Sequence, residues 1–234
     1  MTQTSRPMPS LASNLKYALK ANILPALMLQ TLALGVALSY FHWSAAQAVF
    51  SYIAELRDQF GLSYAIVSTS LFGGLLPFSL MYFSGRIKTQ VLLQLIFYCT
   101  LWAMMGALIA KFYVFQDYLF GSANDVFTVA KKVAFDQFVF SVFLTSPLLT
   151  LLNLWKDSQF SWSKSKVHMN KSLLTLKIPS TIISTWLVWI PAVSVIYTMP
   201  SALQIPLFNL VLCLFVLIFA LLHVEDELED EHRL

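Results

Sequence analysis

The sequence predicts an all-α fold: a polytopic membrane helix bundle of five or six transmembrane helices with interfacial amphipathic helices. Three observations predict it. From Ile178 to Val224 the chain runs forty-seven residues without one Asp, Glu, Lys or Arg. Other charge-free runs cover Ala21–Ala54, Gln59–Gly85 and Thr89–Ala110. Apolar residues make up 58% of the chain and charged residues 12%, with a mean hydropathy of +0.69. A soluble domain carries about 25% charged residues, so the surplus apolar surface must face lipid. A spanning helix needs about 20 apolar residues, and the Ile178–Val224 run is long enough for two.

Taken in order, residues 1–20 form a basic flank with Arg6, Lys16 and Lys20 and no acid. No cleavable signal peptide is evident, though an acid-free, Ser-containing start also suits a mitochondrial transit segment. One transmembrane domain follows over residues 21–224, with spanners at about 21–40, 61–84, 89–110, 133–155, 178–199 and 201–222. Tyr40, Phe41 and Trp43 read as an interfacial belt. Ala46–Leu56 reads as an interfacial amphipathic helix, with Val49, Ile53 and Leu56 on one face.

In the second spanner Thr69 with Gly73, and Ser70 with Gly74, are small residues four apart. Such pairs let two backbones approach closely in lipid. Pro77 is expected to kink the helix just beyond them. Lys111–Lys131 reads as a mixed connection, broken up by Asp117, Gly121, Asn124 and Asp125. Lys156–Lys177 is polar, with Trp155, Phe160 and Trp162 at headgroup level. In the final run Pro191, Pro200 and Ser201 mark a turn, because proline disfavours helix at the residue before it. A single bent spanner over residues 178–224 is the alternative. Residues 225–234 are an acidic, solvated tail.

Lys and Arg in the loops set orientation. With six spanners, the N-terminal side holds Arg6, Lys16, Lys20, Arg86, Lys88, Lys156, Lys164, Lys166, Lys171, Lys177 and Arg233. The other side holds Arg57, Lys111, Lys131 and Lys132. Both termini are therefore expected inside.

Composition and motifs exclude several function classes. A net charge of +3 is too weak to argue for nucleic acid. There is no G-x-G-x-x-G, G-K-[ST], G-x-S-x-G or H-E-x-x-H. Four histidines lack ligand spacing, and Cys99 and Cys213 lie in apolar runs as small hydrophobes. No catalytic, cofactor or metal residue is expected, and the chain is not read as an enzyme. The lipid bilayer is the expected partner, with a homo-oligomer or other membrane proteins as further candidates.

The informative stretch is Lys132 to Thr145. Asp136 sits about a turn inside a spanner, where an ionisable group is costly. Lys132, four residues earlier on the same face, is its expected partner. Gln137, Ser141 and Thr145 form a polar stripe at i, i+4 and i+8, which must face the bundle interior or a wet cavity. Interhelical glue and the lining of a solute path both fit this stripe.

Lys132 with Asp136-Gln137 resembles the Lys-x-x-x-Asp-Gln signature of the Mpv-seventeen family, small membrane proteins of peroxisomes and the inner mitochondrial membrane. Pro77 with Tyr82 is similar to that family's Gly-Pro followed by Trp-Tyr, with Met81 in place of the Trp. Trp189, Pro191 and Pro200 resemble its closing tryptophan-proline stretch and later proline, and Gln47 sits at its Gln position. The resemblance implies a distant member with a channel-like role for small solutes or ions. The membrane would be the inner membrane of a bacterium, or that of a mitochondrion or peroxisome. The competing reading is a non-transporting structural or assembly factor for membrane complexes.

Overall fold

The computed structural model describes residues 11–170 and 173–215. Every regular element among them is helical. In chain order these are α1 (Leu11–His42), α2 (Ser44–Phe83), α3 (Val91–Phe120), α4 (Val126–Asp157), α5 (Trp162–His168), α6 (Ile178–Tyr197) and α7 (Ser201–Phe215). By length and composition α2, α3 and α4 can each cross a membrane. Their outward faces carry bare apolar side chains such as Val67, Phe83 and Phe143. Water would penalise that surface and lipid would not; the chain is built as a membrane-embedded protein.

Prolines and glycines shape the long helices. Gly61 breaks α2 with φ 52° and ψ −123°, a left-handed conformation that side-chain-bearing residues avoid. The break falls where the interfacial helix was expected to give way to a spanner. Beyond it α2 opens into a wide π turn at Ser70–Leu75. A second π segment occupies Asp136–Thr145 of α4, and a third, Leu173–Lys177, leads into α6. Each ends two residues before a proline: Pro77, Pro147 and Pro179. A proline ring would strike the carbonyl four residues earlier in a regular α-helix. Widening the turn ahead of it moves that carbonyl aside. At Pro77, where a kink was expected, the helix carries this wider turn.

The chain between spanners is shorter than the sequence suggests. Lys111–Lys131 was expected as a connection, but α3 continues through Lys111 to Phe120. Gly121, with φ 86°, then ends it by donating its N–H to the Asp117 carbonyl at 2.9 Å. Only residues 121–125 are loop. Asp125 caps α4, accepting from the N–H groups of Phe127 and Thr128. Of the residues read as marking the final turn, Pro191 lies inside α6 instead, and the chain reverses at Thr198–Pro200, directly before Ser201. Residues 1–10 of the basic flank, 216–222 of the last spanner and the acidic tail lie outside the described residues.

The small-residue pairs do bring backbones together. A Cβ on Gly74 would lie 2.8 Å from the Tyr98 carbonyl oxygen and 3.0 Å from Cys99 Cα, both on α3. One on Gly73 would meet Trp102 and Leu212, and Gly106 of α3 sits against Ala65 and Thr69 in return. Ser70 Oγ also donates to the Cys99 carbonyl at 2.9 Å. The helix α1 lays Ala26, Leu29, Ala33 and Ala37 against its neighbours and packs on α6 and, through Ala33, Val36 and Ala37, beside Leu207 and Val211 of α7.

The helix at the centre is α7. Leu203, Gln204, Ile205, Phe208, Asn209 and Leu212 are all buried, and these positions cover about two thirds of the circumference at 100° per residue, leaving Leu210 on the exposed side. A helix with so wide a buried face belongs inside a bundle. Of its buried polar groups, Asn209 is satisfied by α2: it accepts from Thr69 Oγ1 and donates to Ser68 Oγ, each at 2.8 Å.

Candidate functional site

Between α3, α4, α6 and α7 lies a cavity of about 240 Å³. Aromatic and aliphatic side chains, among them Trp102, Ile109, Trp189 and Phe208, form most of its wall. Most of the polar part comes from α4, from its π segment and the Ser146 that follows it, with Thr181 and Thr185 of α6 across from it. The wider turn of the π segment brings residues five apart into line, so Asp136, Ser141 and Ser146 share a row beside Gln137 and Thr145. All five line the cavity. Ser141 Oγ and Ser146 Oγ are 3.4 Å apart. The stripe expected from α-helical spacing is therefore present, with Ser146 added by the π register.

Asp136 is held by neutral donors. The Tyr197 hydroxyl donates to Oδ2 and Gln137 Nε2 to Oδ1, the latter at 3.0 Å. Gln116 Nε2 donates in turn to the Tyr197 oxygen at 3.1 Å. Donation to Asp136 fixes which end of the Gln137 amide carries nitrogen. Its Oε1 is then a buried acceptor without a hydrogen-bond partner, on a residue only 3% exposed. The Gln137 carbonyl accepts the Trp186 indole N–H at 2.9 Å, tying α4 to α6.

Lys132 does not pair with Asp136, contrary to the i, i+4 expectation. Its ammonium lies 2.5 Å from Asp117 Oδ1 on α3, and Ser201 Oγ, at the start of α7, donates to Asp117 Oδ2 at 2.9 Å. The reason is geometric: α3 runs on past Lys111, which carries Asp117 alongside α4 at the depth of Lys132. The positive end of α7 adds to the attraction for this carboxylate. No Lys, Arg or His among the described residues is within ion-pair range of Asp136.

The other residues singled out by sequence are scattered. Gly73, Gly74 and Pro77 are buried in α2. Tyr82 is largely exposed and stacks on Phe78, with centroids 6.1 Å apart. Trp189 reaches the cavity and stacks on Phe208 at 5.2 Å. Pro191 is on the exposed side of α6, and Pro200 is in the turn. Sequence reasoning missed Tyr197 and Gln116, which complete the hold on Asp136. Tyr197 is sixty-one residues from Asp136 in the chain, beyond the reach of any local spacing rule. Among the described residues no three His, Cys, Asp or Glu side chains gather as a metal site.

Compared with known proteins, the chain matches no family model, no curated protein and no solved structure.

Proposed function

We propose that the chain is a channel-like, small-solute transport protein and a distant relative of the Mpv-seventeen family, with the cavity beside Asp136 and Gln137 as its solute site. In this reading α1, the part of α2 beyond Gly61, α3, α4, α6 and α7 make six spans, with both termini on the inner side. The inner membrane of a bacterium, or the membrane of a mitochondrion or peroxisome, is its place.

One observation carries the proposal. A bundle with an apolar exterior keeps a carboxylate, a carboxamide and three hydroxyls on one cavity wall. Polar groups at membrane depth are costly and mark solute paths far more often than surfaces facing lipid. Glue alone would leave such groups satisfied by each other, whereas Gln137 Oε1 is unpaired.

Reconstitution into liposomes loaded with small fluorescent or radiolabelled solutes tests it. Protein-dependent efflux is expected. Efflux equal to that of protein-free vesicles would remove the transport reading and favour the assembly role.

A further inference from the structure

We infer that the cavity is a binding site for an organic ammonium ion, its charged head on Asp136 and Gln137 and its apolar body against Trp102 and Trp189. The inference names a ligand class for the site proposed above and rests on that reading of the cavity.

Charge is the first argument. Asp136 is 7% exposed, and both its oxygens accept hydrogen bonds, from Tyr197 and Gln137. The cation that the sequence offered it, Lys132, is taken by Asp117. A buried carboxylate without a cation is an incomplete arrangement, since buried charges are ordinarily paired. Beside it, Gln137 Oε1 is a second acceptor with nothing to accept. Ser141 and Thr145 add hydroxyl oxygens along the same wall. A head with several N–H donors and a positive charge complements this set. A carboxylate or phosphate would be repelled by it.

Shape is the second. Most of the remaining wall is apolar and aromatic, with two indoles beside the hydroxyl residues Ser146, Thr181 and Thr185, and ring faces attract cations as well as bury hydrocarbon. A cavity of ~150 Å³ holds benzene, so about 240 Å³ suits a ligand of about ten heavy atoms by the same scale. A fully hydrated inorganic cation would leave the aromatic wall unused. An amine of phenethylammonium size uses both halves.

The test compares three probes of one shape on the full chain in maltoside micelles: phenethylammonium, 2-phenylethanol and phenylacetate. Binding is read by tryptophan fluorescence and checked by equilibrium dialysis against empty micelles. The amine should bind saturably and at least about tenfold tighter than the alcohol, because its contacts to the carboxylate are charge-assisted; phenylacetate should not saturate. Asp136→Asn should bring amine and alcohol to similar affinity. Asp58→Asn, at the exposed pair with Arg57, should keep the preference. Should Asp136→Asn fail to fold, the three-probe comparison on the unmodified chain decides. Equal affinity for amine and alcohol there, or preferential binding of the acid, overturns the inference. Competition by added phosphatidylethanolamine would support a lipid amine as the occupant, and lack of competition a free amine. Amine preference without efflux from vesicles keeps the site and removes the transport reading. Efflux without amine preference does the reverse.

Discussion

Lys132 gives its ammonium to Asp117 of the neighbouring helix and not to Asp136, four residues along its own. The pair ties α3 to α4 and, through Ser201, to the start of α7. Lys132 is 1% exposed and the Asp117 side chain 25%. Removing one partner of a buried pair costs about 3–5 kcal/mol, so Asp117→Ala, which strands the ammonium, should cost about 3 kcal/mol. Lys132→Gln should cost less, roughly 1 kcal/mol, because Asp117 can still reach water. In a double-mutant cycle of unfolding in detergent, Lys132 should couple to Asp117. Coupling to Asp136 instead would contradict the arrangement.

Gly74 should tolerate no side chain. Its Cβ would press on the backbone of Tyr98 and Cys99, which can yield only if α2 and α3 separate. Gly74→Ala should destabilise by about 1–3 kcal/mol, as overpacking does. Gly73→Ala should cost less, since Trp102 and Leu212 are side chains that can shift. A wild-type melting temperature for Gly74→Ala would refute the contact.

The α4 cap should be acid-sensitive. Asp125 is held below its ordinary value of 3.8, first by the Thr128 hydroxyl and then by the Thr128 N–H. A carboxyl with a depressed folded value adds stability above its ordinary value and loses it as pH falls through the folded one. The contribution of Asp125 is thus present at neutral pH and lost below about pH 4. Acid melting curves of Asp125→Asn should show a smaller loss over that window than the unmodified chain. Identical losses would remove the cap from the account.

The proposed six spans would place both ends of the chain on the same side. Reporter fusions near Met1 and at Leu234 should both report the inner compartment, following the Lys and Arg distribution. Opposite sides would fit five spans.

Some of this was legible in the residues and some was not. The small-residue pairs at Gly73 and Gly74 announce close packing because spacing of four is a property of one helix. The polar stripe from Asp136 to Thr145 is local in the same way. Three features escape such reading. Gln116 and Asp117 look like loop residues, since charge and amide groups are rare in spanners, yet each is held by a distant partner in the fold. The π segments depend on a proline two residues downstream, a signal that α-helical periodicity ignores. The choice of Asp117 over Asp136 by Lys132 depends on how far α3 extends, and no spacing within α4 carries that information.

The central claim is that Asp136 faces a solute path. The most direct measurement is the cation-to-anion permeability ratio of reconstituted vesicles, for the unmodified chain and for Asp136→Asn. The substitution keeps shape and polarity and removes the charge, so the melting temperature should change little. The unmodified chain should favour cations, because a carboxylate at the path attracts them and repels anions. Asp136→Asn should lose much of that preference while permeability persists. An unchanged ratio, together with a loss of stability, would contradict the claim and leave Asp136 as a structural tie to Tyr197.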